Sequence, residues 1–441
     1  MTDQSPKIDL QLHYRRLLFA YFALVPLAMF PYNYSFNFVL TKFIFLAVLA
    51  GYYCIFILSR TRLGLPRTTE DKWLLAYTLS LLVTTVLARD ILLAIMGADY
   101  RRDGLISFFF CLVAYLVGKN TRLSKKILWS FLVSSLVLSL YGIIQFYKLD
   151  PISLGWFLPE KWIGRAFSTL GNPNFFGSYL VLVLPISLYM TLEEKNILGL
   201  VIFAVQLFAL FCSRTRGAWL GAMVGLIVFI FLFFKGARRE KIKSLGLLLL
   251  VVAIIITGIY LFDLWNDGLM ASRVGRVVED IKLIVGRDQA ARFAGNDRLY
   301  IWQRVLELIK DRPLQGYGLE NLGPVMEANY RAQIENDFGH FINFDKAHNE
   351  YLHIAVTSGI PSLLLYLGFI FSVIRKGYQK YKSGCRLMLM FLASLIGYLA
   401  QAFFNIQTIL VYYIFMAMLG LLSSNIACPD QAESSPNSSC D

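Results

Sequence analysis

"PNFFGSYLVLVLPISLYMTLEEKNILGLVIFAVQLFALFCSRTRGAWLGAMVGLIVFIFLFFKG", residues 173–236, holds three apolar runs parted only by short polar breaks. The runs cover 175–192, 197–213 and 217–234. Each is close to the ~18 uncharged residues that mark a helix able to cross a bilayer. Barrel strands would alternate apolar and polar residues, and these runs do not. The fold class expected is therefore all-α, a polytopic integral membrane protein. Working outward, similar runs lie at 17–33, 36–58, 73–88, 105–120, 127–147, 244–263, 352–374, 386–405 and 408–426, giving about twelve transmembrane helices. Composition agrees: of 441 residues 57% are hydrophobic and 16% charged, whereas soluble domains carry about a quarter charged residues.

Basic residues then orient the chain. Arg60, Arg62, Arg67 and Lys72 fall on one side, with Lys119, Arg122, Lys125 and Lys126, and with Lys235, Arg238, Arg239, Lys241 and Lys243. Arg375, Lys376, Lys380, Lys382 and Arg386 join them, and Arg15 and Arg16 precede the first span. Short loops rich in Lys and Arg stay cytoplasmic, so both termini are expected there. The same bias accounts for most of the net charge of +13. Membrane lipids are thus the expected surroundings, and no nucleic-acid partner is needed. The first span lacks a small-residue cleavage site and reads as a span rather than a removable signal peptide. The six cysteines are scattered without metal-ligand spacing and read as small apolar residues. The expected organisation is 1–150 N-terminal spans, 151–263 spans with polar motifs, a 264–348 extracytoplasmic helical loop, 349–426 C-terminal spans, and a disordered cytoplasmic tail at 427–441.

The alternation leaves four segments on the outer face: about 89–104, 148–174, 213–217 and the long stretch 264–348. A loop that long is functional or disordered, and this one is full of helix signals. "RVGRVVEDIKLIV" places Val274, Val277, Val278, Ile281, Ile284 and Val285 at helical spacing. "NDRLYIWQRVLELIKDRP" starts at Asn296 or Asp297 as a cap and stops at Pro313. A third helix carries Pro324 in its first turn. A short interfacial helix starts near Asn349 and breaks at Gly359–Pro361.

Three of the four histidines, His340, His348 and His353, fall at this junction of cap and membrane. His340 and His353 suit the interface simply as amphipathic rings. His348 differs, because Asp345, Asn349 and Glu350 surround it, and a neutral imidazole so placed can accept a proton. Asn172 and Asn174 in "GNPN" stand at the mouth of a span, fit either to cap it or to bind a ligand. Arg214 and Arg216 sit between two apolar helices, where ionisable groups point to a functional site or snorkel to head groups. Arg298 lies in a helix first turn, a poor place for a cation unless an anion joins it.

"GNPN" at 171–174, "SRTRGAWLG" at 213–221, "DRLYIW" with "DRPLQGYGLENL" across 297–322, and "HNEYL" at 348–352 occur in this order around one long loop. Over roughly residues 165–375 the chain resembles the O-antigen ligase and polysaccharide polymerase family of bacterial membrane proteins. The resemblance implies a GT-C-like glycosyltransferase that needs no metal and no other cofactor. It implies an undecaprenyl-diphosphate-linked glycan donor, a lipid- or glycan-linked acceptor, and an active site on the outer face of the cytoplasmic membrane. It further implies essential roles for Arg216, Arg298 and His348, with Arg214 as an additional cation. Asn172, Asn174, Asn349 and Tyr317 are candidate substrate contacts, and Tyr330, Trp156 and Trp162 candidate stacking surfaces. The acceptor expected is a lipid A core or another surface acceptor. A repeat-unit polymerase is the alternative within the family, and a transporter, such as for bicarbonate, the alternative outside it. Carriers usually place charge at the bilayer midplane, and the centres of these spans are nearly free of it.

Overall fold

A computed structural model describes residues 10–32, 35–36, 38–60, 68–150, 162–236, 241–286, 293–295 and 297–425. Trp156, Asn296 and the tail at 427–441 lie outside the described residues. The protein is an all-helical, multi-pass membrane protein; a two-residue ladder, β1 (Pro31–Tyr32) with β2 (Ser35–Phe36), is the exception among the described residues.

All twelve expected stretches fall on helices. They are α1–α2 (Leu10–Phe19 and Val25–Leu27, joined by a π-turn over Ala20–Leu24), α3 (Phe38–Phe56), α4 (Thr69–Val86), α6 (Leu105–Asn120), α7 (Lys125–Phe146) and α8 (Pro173–Leu192). The others are α9 (Ile197–Cys212), α10 (Arg216–Gly236), α11 (Lys241–Trp265), α15 (Glu350–Lys382), α16 (Met388–Ala402) and α17 (Ile409–Ser423). The expected number of crossings is not met by length, however. Among the described residues five helices are long and apolar enough to cross a bilayer, or six if α11 and the helix after it count as one bent span. Helices α6, α9, α16 and α17 are apolar but shorter.

Burial sorts these helices. The apolar window of α8 is covered by protein throughout, whereas only 28% of that of α3 is. An apolar helix hidden on every side is central, and one hidden on a single stripe faces lipid. Helix α17 is likewise buried along its length and crosses α6 at very close range. A Cβ on Gly118 would lie 2.1 Å from the Ala417 carbonyl oxygen, and one on Gly420 2.1 Å from that of Tyr115. Small residues permit such contact, which packs helices where lipid supplies no hydrophobic drive. Among the described residues Cys54, Cys111 and Cys212 are free, whereas Cys385 is disulfide-bonded, unlike the expectation of small apolar thiols throughout.

The long loop folds as α12 (Leu269–Val285), α13 (Arg298–Asp311) and α14 (Leu322–Phe338). Its core joins Tyr300, Val305, Tyr317, Val325, Met326 and Phe344. Helix α12 forms where the helical spacing placed it, with Val277, Val278, Ile281 and Val285 facing outward rather than into that core. Helix α15 begins with Asn349 as its cap and is non-helical at Gly359 (φ 84°). Pro361 has no N–H for the carbonyl four residues back. The cap uses the gap: Gly318 N–H donates to Thr357 O at 2.7 Å, Tyr317 N–H to Val356 O at 3.1 Å, and Ile360 N–H to Pro313 O at 2.8 Å. The cap is thus bonded to a membrane helix through its backbone, one turn beyond His353.

Candidate active site

Polar motifs from four helix ends meet at one end of the bundle. Asn172 caps α8, its Oδ1 accepting from Asn174 N–H at 2.9 Å. Asn174 Oδ1 in turn accepts from Thr215 Oγ1 at 3.3 Å, tying "GNPN" to "SRTR". In the turn between α9 and α10, Arg214 takes a left-handed backbone (φ 56°) and donates to Gly164 O at 3.3 Å. Arg165 donates to Ser213 O at 3.2 and 3.3 Å and lies 3.5 Å from Thr215 Oγ1. Arg216 opens α10 and pairs with Asp280 of α12 at 3.3 Å.

Arg298 opens α13 directly after Asp297, which is also left-handed (φ 62°) and whose side chain makes no capping bond, contrary to the expected cap. One turn on, Trp302 donates from Nε1 to Ala347 O at 2.9 Å. Its ring packs on Phe403 and Phe404, with centroids 5.6 and 6.3 Å away. A Cβ on Gly217 would lie 3.3 Å from the Cβ of Phe404. Trp302 and Phe404 therefore draw the starts of α10 and α13 to the residue just before His348. His348 itself has φ 50°. Left-handed non-glycine residues cost free energy and cluster where a side chain must be aimed.

Charge shows which groups feel one another. Burial, then the charge of Arg216, brings Arg298 down to about 10. Burial, then Arg298 and Arg101, brings His348 down to about 4. Burial, then Arg214, brings Arg165 down to about 10, and burial with Arg276 lowers Arg214. The Nε atoms of Arg214 and Arg298 are buried without a partner. Like charges this close, with donors unspent, form a ready site for an anion. Guanidinium forks match phosphate and carboxylate oxygens.

The structure thus sets Arg298 within electrostatic reach of both Arg216 and His348, and Arg214 within reach of Arg165 and Arg276. Asn172 and Asn174 are half-buried at the α8 mouth and serve as cap and Thr215 acceptor. Asn349 is 1% exposed, with Oδ1 accepting from Leu352 N–H at 3.0 Å. Tyr317 stands apart in the cap core, 5% exposed, giving its hydroxyl to Asp311, so its ring offers no stacking face. Tyr330 bonds Glu307 at 2.9 Å, and Trp162 lies 5.8 Å from Phe167. Two arginines escaped the sequence reading: Arg165, just before "GNPN", and Arg101, inside the "DYRRD" loop.

Residues 198–367 match the family model described as O-Antigen ligase. Over that region the chain is similar to the O-antigen ligases. The matched region contains all three converging side chains. The chain is also 23% identical over 281 residues to a ComP-specific O-oligosaccharyltransferase of Acinetobacter baylyi, covering 61% of this chain and 46% of that protein. A general O-oligosaccharyltransferase of the same organism is 27% identical over 233 residues, 51% of this chain and 37% of that protein. The chain therefore spans less than half the length of the curated relatives it matches.

Proposed function

We propose that this protein transfers a glycan from a polyprenyl-diphosphate carrier to an acceptor hydroxyl at the outer face of the cytoplasmic membrane. The observation that carries the reading is that Trp302, one turn after Arg298, bonds the residue before His348, so that the charge of Arg216 bears on Arg298 and that of Arg298 on an imidazole whose proton affinity burial lowers. The guanidinium groups hold the diphosphate. His348 takes the proton of the acceptor hydroxyl as its oxygen bonds to the anomeric carbon. The sugar–phosphate C–O bond breaks, its electron pair leaves with the diphosphate, and the anomeric carbon inverts. Removing one donor to such a developing charge costs roughly 100- to 1,000-fold, and removing the base roughly 100- to 10,000-fold. Left-handed backbone at Arg214, Asp297 and His348 supports the reading, since aimed side chains justify local strain. No step in this displacement calls on a metal.

The names of the two relatives favour an oligosaccharide as the group passed to the acceptor oxygen. The test uses the full chain in proteoliposomes with an undecaprenyl-diphosphate-linked oligosaccharide and three acceptors: core lipid, a second lipid-linked repeat, and a protein bearing exposed serine, threonine and tyrosine. Transfer to one of them, undiminished by EDTA, is expected. Transfer to none overturns the reading, and activity lost in EDTA and restored by magnesium overturns its metal independence.

A further inference from the structure

The segment that carries His348 is fastened at every neighbouring residue. Phe344 is packed in the cap core. Asp345 is gripped by both sides of one guanidinium: Arg101 Nε donates to Oδ2 at 2.7 Å and Nη2 to Oδ1 at 3.2 Å, while the Tyr100 hydroxyl adds a bond at 3.1 Å. Lys346 is buried between Glu320, which it bonds, and Asp103 at 3.6 Å. Ala347 is held by Trp302 and Asn349 by its own cap. Asp103 also accepts from Ile409 N–H at 2.7 Å, joining the loop to the start of α17. The 99–104 loop is therefore a fixed post between the last membrane helix and the His348 segment.

We infer that Arg101 is a positioning residue for His348: its two-toothed grip on Asp345 sets the imidazole against Arg298 and holds a positive charge beside it. The inference rests on the reading of His348 as proton acceptor, and it names a residue which that reading does not use. A planar fork fixes a carboxylate in orientation as well as distance. With Asp345 fixed, the two residues that follow have no slack, and the left-handed turn at His348 is enforced. The charged groups facing the imidazole are Arg298 from α13, Arg101 from the loop, Asp345 and Lys346 from its own segment, and His353 from α15. Arg101 and Asp345 act on it with opposite sign: the guanidinium disfavours the imidazolium and the carboxylate favours it.

That opposition supplies the test. The protein has four histidines, so 13C-labelled histidine in nanodisc-embedded full chain gives few signals, and His348→Gln assigns the one that matters. In Arg101→Gln, loss of the cation and release of Asp345 both favour protonation, and the His348 midpoint rises by about one unit. In Asp345→Asn it moves below the wild-type midpoint. A residue that only braced the fold would lower activity in both variants without moving the midpoint in opposite directions. Arg101→Lys keeps the charge and loses the fork; it holds the midpoint near wild type while transfer falls about 10-fold or more. Midpoints unchanged in Arg101→Gln and Asp345→Asn, or shifted the same way, overturn the inference. Should Arg101→Gln not accumulate, an Asp345→Asn midpoint at or above wild type overturns it alone. Wild-type transfer by His348→Ala would instead overturn the reading of the base and leave the titration result standing.

Discussion

The two ends of the helical bundle handle positive charge differently. At the end where the basic loops gather, cations are matched with acids. Lys376 bonds Glu70, Arg386 bonds Glu193, Lys119 bonds Asp71, and Lys125 pairs with Glu194 at 2.7 Å. At the other end Arg216 pairs with Asp280 and Arg101 with Asp345, yet cations also crowd one another: Arg165 feels Arg214, Arg214 feels Arg276, and Arg298 feels Arg216. The first pattern answers to topology, since Lys and Arg hold loops on one side and acids neutralise the excess locally. The second is unstable by itself. Gathering guanidiniums away from water is costly unless an anion completes the set. Net charge alone hides this difference, because both ends add to the same total.

Substitutions separate the two ends. The largest effect is expected from Arg298→Ala and His348→Ala, each of which lowers transfer by roughly 100-fold or more at unchanged protein abundance. At the matched end, Lys376→Ala strands Glu70, whose side chain is only 5% exposed. It destabilises the fold by about 1–3 kcal/mol, read as a lower midpoint of thermal unfolding, and leaves transfer per folded molecule unchanged. A loss of transfer there beyond the loss of folded protein would erase the distinction.

Acid provides a subtler probe. His348 is held below the value of a free imidazole, so the unfolded chain takes up its proton first as pH falls. The stability this contributes is complete above about 6.5 and is lost as pH falls through about 4. For the free enzyme, kcat/KM is expected to decline toward the same lower value, because the protonated ring accepts nothing. A bound diphosphate adds negative charge and raises the ring's affinity for a proton, so the inflection in kcat lies at higher pH than that in kcat/KM. Coincident inflections would place the anion away from His348. The smallest effect belongs to Lys125→Ala: its side chain is 67% exposed, and such a pair is worth less than about 1 kcal/mol.

Helices were the most legible feature, because apolar length is a property of consecutive residues. The break at Gly359–Pro361 and the cap at Asn349 were legible for the same reason, each being set by two or three adjacent residues. Crossing number was less so: α6, α9, α16 and α17 owe their place to neighbours that bury them, not to length. Helix α12 shows a further limit, since periodicity announces an apolar stripe without saying whether protein or lipid covers it. Within the candidate site, Arg216 and His348 stood out as ionisable groups at an apolar boundary and Arg298 as a cation in a helix first turn, and the family resemblance joined the three. Tyr317 misled, since an aromatic in a polar loop looks like a sugar platform until its hydroxyl is seen on Asp311. Arg101 and Arg165 were illegible because their partners are distant in sequence. The fork on Asp345 spans 244 residues, and no local pattern encodes it. The "DYRRD" charges, which weaken the hydropathy of their surroundings, are in fact the post on which the His348 segment is hung.

Binding and transfer of an undecaprenyl-diphosphate-linked oligosaccharide, measured together on reconstituted His348→Ala and Arg298→Ala proteins, test the central claim most directly. The account predicts that His348→Ala binds the donor as the unaltered chain does yet transfers roughly 100-fold or more slowly, and that Arg298→Ala is weakened in both. Transfer at the unaltered rate by His348→Ala, or undiminished donor binding and transfer by Arg298→Ala, would contradict it.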